Sequence, residues 1–309
     1  MAQILNFGSL NIDHVYCVDT FVQPGETKSS LSMEDHCGGK GLNQSIAAAR
    51  AGAQVRHAGV IGRDGDVLFG KLTACGVDCS LTRRSEGVSG HAIIQVDANG
   101  QNCILLYGGT NQELTEAYIG EALEAFGSEG LVLLQNETNL VGSVIRRAKE
   151  KGLTVALNAA PMNGKVFAYP LELLDWLVVN EVEGATIAQC EREEDILPVL
   201  QARYPHTNIL LTLGGRGSVC LQNGETTKFG AYHVKAVDTT AAGDTFSGYF
   251  LNEILDGASA SDALALATAA AALCVQTMGA ADSVPPRART LEAIRSGELG
   301  ALSEWGGWR

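Results

Sequence analysis

The chain has 309 residues, of which 46% are hydrophobic and 18% charged, enough apolar side chains for one large α/β domain or two smaller ones. Its formal net charge of −13 argues against a nucleic-acid backbone or an anionic membrane as partner. An acidic protein that handles a polyanionic nucleotide must bring cation density to its site, most simply as a metal ion.

Residues 4–7 read as a first strand, and residues 1–7 have neither the basic start nor the apolar core of a signal peptide. A cytoplasmic protein is therefore expected. The eight cysteines are scattered without a zinc-binding pattern and read as reduced, mostly buried thiols. Helical spacing over 41–51, 66–75, 115–126, 140–151 and 191–203 alternates with apolar runs at 55–61, 131–135, 154–158, 176–179 and 209–213. The near-continuous Val/Leu/Ile character of those runs fits strands covered on both faces. The alternation predicts an α/β fold with a central, mostly parallel sheet flanked by helices, Rossmann-like in its layering.

Two regions break the rhythm. Residues 14–36 alternate polar and apolar, and 90–108 read as two strands joined at Asp97-Ala98-Asn99-Gly100, where Asn-Gly is a hairpin signal. They are expected either to pair into one small antiparallel sheet beside the cleft or to be edge hairpins of the main sheet. The uncharged run 263–281 is long enough to cross a bilayer, but its alanines with Thr268, Gln276 and Thr277 predict a buried interior helix.

Asn11 and Asp13 follow the first strand, where open α/β sheets build their sites, and their spacing aims both side chains the same way in extended chain. They suit vicinal hydroxyls, or close the strand as an Asx turn. Gly38-Gly39-Lys40-Gly41 is a glycine turn at a helix start, but neither a Walker A loop nor a dinucleotide fingerprint. Its backbone could approach a sugar, with Lys40 and Asn43 bonding hydroxyls; a plain loop is the alternative. Glu137, past the strand 131–135, is a sugar acceptor or a solvated loop acid. Asn180 and Glu183 offer amide oxygen and carboxylate to a hydrated magnesium ion, or form a capping box. Thr212, Gly214 and Gly217 end a strand where nucleotide phosphates could approach, with Arg216 as a cation beside them.

Asp238-Thr239-Thr240-Ala241-Ala242-Gly243-Asp244 reads as a turn feeding a helix N-terminus, where free N–H groups and the helix dipole hold an anion. Asp244 would repel a merely bound phosphate. It makes sense as the base for a hydroxyl that attacks that phosphate, with the N–H groups of Ala241, Ala242, Gly243 and Asp244 stabilising the charge that develops. An ordinary helix start with an acid in its first turn is the alternative reading of these residues alone.

The segment 237–246 resembles the C-terminal signature of the ribokinase-like carbohydrate kinases. Gly8-Ser9-Leu10-Asn11-Ile12-Asp13, Pro24-Gly25-Glu26-Thr27 and Gly38-Gly39-Lys40-Gly41-Leu42-Asn43-Gln44 resemble the N-terminal one, so the likeness runs over 4–286. It implies an ATP-dependent sugar kinase acting on the 5-hydroxyl of D-ribose, with a nucleoside or fructose as the alternative acceptor. In that reading Asp244 is the base, and Asn11, Asp13, Gly39, Lys40, Asn43 and Glu137 hold the sugar. Asn180, Thr212, Gly214, Gly217 and Gly243 line the ATP, with magnesium at Asn180 and Glu183. The resemblance further implies a potassium site at Asp238, Thr240, Cys274, Thr277, Gly279 and Ser283, a lid from 14–36 and 90–108, and a homodimer formed through that lid. His91, Gln112 and Glu113 depart from the family's more apolar pattern near the sugar pocket. A dinucleotide oxidoreductase would need the missing glycine fingerprint, and a silent sugar sensor has no use for Asp244.

Overall fold

The computed structural model describes residues 1–308. In chain order the elements begin β1 (Gln3–Phe7), β2 (Asn11–Cys17), β3 (Ser32–Gly38), α1 (Lys40–Ala51), β4 (Gln54–Ala58), β5 (Val60–Ile61), α2 (Asp66–Ala74) and β6 (Arg83–Arg84). They continue with β7 (Gly90–Val96), β8 (Asn102–Tyr107), α3 (Glu116–Phe126), β9 (Leu131–Gln135), α4 (Val141–Glu150), β10 (Thr154–Asn158), β11 (Trp176–Asn180), α5 (Glu181–Ala188) and α6 (Glu193–Arg203). The chain ends with β12 (Asn208–Thr212), β13 (Ser218–Gln222), β14 (Glu225–Phe229), α7 (Ala242–Leu255), α8 (Ala260–Cys274), α9 (Ala280–Ser283) and α10 (Arg287–Ser296).

The main sheet runs β14-β13-β12-β11-β10-β9-β1-β4, parallel from β4 to β12. Alternation along each central strand feeds two cores. Val132 and Leu134 join α3 and α4 residues on one side, while Leu131 and Leu133 join α1, α7 and α8 residues on the other. Because β4 and β9 flank β1 on opposite sides, the order reverses there. The crevice at the carboxyl ends of β1 and β9 is where such sheets bind ligands. No described helix is long and apolar enough to cross a membrane.

Several expectations change in detail. The run 55–61 is not one strand: it divides at Gly59, β4 staying in the main sheet while β5 pairs with β6. The main sheet gains an antiparallel edge, β13–β14, turned at Asn223 (φ 52) and Gly224 (φ 83), the positive-φ pair of a type I′ hairpin. The run 263–281 does not stay helical. It is helical to Cys274, turns, and resumes at Ala280, which brings Gly279 back to Asp238. All eight cysteines are free; Cys79, Cys220 and Cys274 are buried, whereas Cys17 and Cys103 are exposed.

The two irregular regions do form a separate sheet, β3-β2-β7-β8. It is mixed rather than antiparallel, because β2 and β7 run parallel. It also begins earlier than expected, so Asn11 and Asp13 belong to this sheet and not to a loop after β1.

Candidate active site

Asp13 and Asn11 share one face of β2. The carboxylate of Asp13 lies against Gly38, where a Cβ would collide with it and push it aside. Loss of water and the nearby Glu137 carboxylate push Asp13 up to about 7. Asn11 is buried, its Oδ1 accepting from Asn111 Nδ2 at 2.7 Å. Asn111 also accepts from Leu10 N at 2.9 Å, tying the start of β2 to the turn before α3. The turn 108–111 was in view in the sequence, but nothing there signals its pairing with a residue one hundred positions away.

Glu137 is neither solvated nor free. Its Oε2 accepts from Ser9 Oγ and from Lys40 N at 3.0 Å, pinning the glycine turn at the start of α1. Burial raises its pKa. Lys40 is held above its ordinary value chiefly by the Asp244 carboxylate, with Glu137 and Glu183 adding to it.

Asp244 is 6% exposed in the first turn of α7. Its Oδ2 accepts from Asn43 Nδ2 at 3.0 Å and its Oδ1 from Gln44 Nε2 at 2.8 Å, so α1 grips both carboxylate oxygens. Asn43 Oδ1 is buried without a partner. Ala241 precedes α7 in the left-handed region, φ 62, a conformation costing a non-glycine residue about 1 kcal/mol. The N–H groups of Ala241, Gly243 and Asp244 find no acceptor among the described residues, whereas Ala242 N donates to Thr239 O at 3.3 Å. The open donors at this helix start are therefore three, and Ala242 is partly engaged.

Asn180 and Glu183 form the capping box of α5. Asn180 Oδ1 accepts from Glu183 N at 2.8 Å, and Glu183 Oε2 from Asn180 N at 2.9 Å. Glu183 is buried, and desolvation raises its pKa. No group of three or more His, Cys, Asp or Glu among the described residues could hold a metal. The donor set fits an ion that arrives hydrated and already bound to phosphate, touched through water by Asn180 or Glu183, and does not fit a dry protein cage.

Thr212 ends β12 beside Asn180, and the turn 214–217 follows with Gly214 at φ 57 and Gly217 at φ 103. Arg216 does not offer its charge to that turn. It is ion-paired with Glu193 at 2.6 and 3.0 Å and reaches Glu181 at 3.4 Å.

Asp238 accepts from Thr240 N at 2.9 Å and Gly279 N at 3.0 Å, joining the turn before α7 to the turn before α9. Cys274 Sγ contacts Ser283 Oγ at 3.0 Å and Thr240 O at 3.7 Å, and Thr277 N donates to Cys274 O at 3.1 Å. The six residues named from the sequence thus lie in one cluster behind the start of α7.

Of the departures, His91 pairs in register with Ile12, which places it on the face of the small sheet opposite Asp13. It packs there against Tyr107 and His14, with ring centroids 5.0 and 5.7 Å apart. Gln112 Nε2 donates to Glu137 O at 2.8 Å, and Glu113 accepts from Ser85 Oγ at 2.6 Å.

A crevice that offers a carboxylate beside free helix-start N–H groups, at the switch point of a parallel sheet, suits phosphoryl transfer to a hydroxyl, and the family match makes the chain a phosphotransferase acting on a sugar hydroxyl. The description "pfkB family carbohydrate kinase" matches residues 1–287, and the chain belongs to that family. It is 35% identical over 297 residues to the ribokinase of Haemophilus influenzae, covering 93% of this chain and 96% of that one. A structure of Arabidopsis thaliana ribokinase complexed with ribose and ATP superposes with a TM-score of 0.84 at 28% identity, covering 96% of this chain and 99% of the other. The ribokinase of Cryptococcus neoformans in complex with ADP gives 0.81 at 32% identity, covering 94% and 99%.

Proposed function

We propose that this chain transfers the γ-phosphoryl group of ATP to the 5-hydroxyl of D-ribose. The observation that carries the mechanism is the position of Asp244, buried in the first turn of α7 next to open backbone donors. Asp244 takes the proton of the attacking hydroxyl. The N–H groups of Ala241, Gly243 and Asp244, with the dipole of α7, stabilise charge on the transferred group. Asp13, packed against Gly38, and Asn11, held by Asn111, orient the sugar from the small sheet, with Asn43 beside them on Asp244. Gly39 and Lys40 line the same side; Glu137 acts by fixing their turn. Thr212, Gly214, Gly217 and Gly243 border the nucleotide. Asn180 and Glu183 would help hold a magnesium ion brought with the nucleotide, which would supply charge neutralisation. Potassium would be held by the cluster around Asp238 and would supply positive charge behind the start of α7, and the small sheet serves as a lid.

Release of ADP in the presence of ribose, fructose and nucleosides tests the acceptor, and ribose should turn over fastest. Asp244→Asn should leave both substrates bound within about tenfold while turnover falls by roughly 10² or more. Wild-type turnover in that variant rules out Asp244 as the base.

A further inference from the structure

Beneath Asp244 runs a chain of buried side chains that the chemistry above does not use. Gln44, whose Nε2 reaches Asp244, accepts at Oε1 from Gln135 Nε2 at 2.8 Å, and the same nitrogen donates to Asn6 Oδ1 at 3.0 Å. Asn6 Nδ2 donates to Ser45 Oγ and to Gly41 O, both at 2.8 Å. Ser45 Oγ lies 2.8 Å from His57 Nδ1, and His57 Nε2 lies 3.2 Å from Gly8 O. Asn6, Gln44, Ser45 and His57 are 0% exposed and Gln135 is 1% exposed, so none can touch substrate.

The polarity of every link follows from its far end. A carbonyl oxygen only accepts, so His57 Nε2 carries its hydrogen toward Gly8 O. Burial holds the His57 pKa down to about 4; the ring is neutral and Nδ1 is an acceptor. The Ser45 hydroxyl therefore donates to Nδ1 and accepts from Asn6. Both Asn6 N–H bonds are then used, which turns Asn6 Oδ1 toward Gln135. Both Gln135 N–H bonds go to Asn6 and Gln44, which leaves Gln44 only its N–H to offer Asp244. Gln135 Oε1 is buried without a partner, yet flipping that amide would set its oxygen against Asn6 Oδ1 and Gln44 Oε1.

We infer that Asn6, Gln44, Ser45, His57 and Gln135 are positioning residues, a one-way hydrogen-bond relay anchored on Gly8 O that holds an N–H donor on Asp244. The inference rests on the reading of Asp244 as the base. A donor at Oδ1 favours the ionised carboxylate and fixes its plane; an amide free to flip would present oxygen to it instead. The charged and titratable groups around Asp244 are Lys40, Glu137, Glu183 and Cys274, and the variants below leave all of them in place.

Gln44→Met keeps the length of the side chain and removes the donor. Its kcat should fall about tenfold with both KM values within about threefold, and the acid limb of its kcat–pH profile should move up by about one pH unit. Gln135→Met and Ser45→Ala, further along the relay, should move that limb in the same direction by less. In an Asp244→Asn background Gln44→Met should change kcat by less than about twofold, since coupled residues are not additive. If Gln44→Met does not fold, the other two variants carry the test. An unshifted limb in folded variants, or full additivity with Asp244→Asn, overturns the relay. If Asp244→Asn is inactive and the limb still does not move, the base stands and the relay alone falls.

Discussion

Burial and the neighbouring Glu137 carboxylate push Asp13 up to about 7, far above an ordinary aspartate. The sign of the consequence is fixed. Below the unfolded value, near pH 4, Asp13 is protonated in both states and costs nothing; as pH rises toward 7 the unfolded chain ionises it freely while the folded chain resists. The free protein should therefore lose stability across that window through Asp13. Asp13→Asn should melt higher than wild type by a margin that widens from about pH 4 to about pH 7 and then levels. A margin independent of pH would show that the Asp13 carboxyl is not strained. The same variant should bind sugar more weakly, because its amide offers one acceptor where a carboxylate offers two. Asp13 and Asp244 could be singled out from the sequence, Asp13 by its spacing from Asn11 after the first strand and Asp244 as a lone acid in a turn of small residues. Their partners could not. Gln44 reads as a continuation of a helix, and the pairing of Asn11 with Asn111 spans the small sheet and the α3 approach. Arg216 looked like a phosphate ligand because its neighbours are glycines, and only the fold shows that Glu193 and Glu181 take its charge.

At the scale of elements, the proposed base sits on α7 and the two amides that grip it sit on α1, so the separation of these helices sets the site. Gly248 sets that separation. A Cβ there would come 2.6 Å from Ala47 Cβ and 2.8 Å from Ala48 N. In an open helix Gly→Ala stabilises by about 1 kcal/mol; here Gly248→Ala should destabilise by about 1–3 kcal/mol and lower kcat by drawing Asp244 from Asn43 and Gln44. Chemical denaturation and steady-state rates measure both, and a stabilised, fully active variant refutes the argument. A second element junction is the Asp238 cluster, which joins the turn before α7 to the turn after α8. A monovalent cation bound there would act without touching substrate, by fixing the backbone that aims the N–H groups of Ala241, Gly243 and Asp244 and adding positive charge behind them. Potassium should raise kcat more than it changes the sugar KM, and Asp238→Ala should abolish the dependence. Identical rates in potassium and in an organic-cation buffer free of alkali metal exclude it. The sequence showed the parallel strands as near-continuous apolar runs and most helices by their apolar period, but it missed the β13–β14 edge, whose outer strand is mostly exposed. It hid the break after Cys274, since an alanine-rich run carries no period, and it hid the division at Gly59, where one residue hands the chain from one sheet to another.

For the whole molecule, the small sheet joins a core at Ile12 and Cys37 and otherwise keeps much apolar surface in water. Its edge strand β8 leaves Ile104 56%, Leu105 68%, Leu106 47% and Tyr107 56% exposed, with Met33 at 43% and Ile93 at 39% on neighbouring strands. An exposed apolar edge of this kind favours pairing with another chain, and folded monomers rarely tolerate it. The hairpin signal in the sequence located β7 and β8. Their exposure was not readable, because an alternating strand looks the same whether its apolar face meets a core or a second subunit. We propose that two copies join through these sheets, each covering the other's apolar face. By alternation Ile104 lies on the Asp13 face and Leu105 on the His91 face, so Ile104→Asp and Leu105→Asp probe the two faces separately. Sedimentation should give a dimer for the wild type, and a monomer for the variant whose face is buried between subunits. That monomer should keep its melting transition, because neither side chain belongs to a core. Its sugar KM should rise if the joined sheets steady Asp13 over the crevice. A wild-type chain that sediments as a monomer at tens of micromolar, or two variants that both remain dimeric, removes the small sheet as the interface.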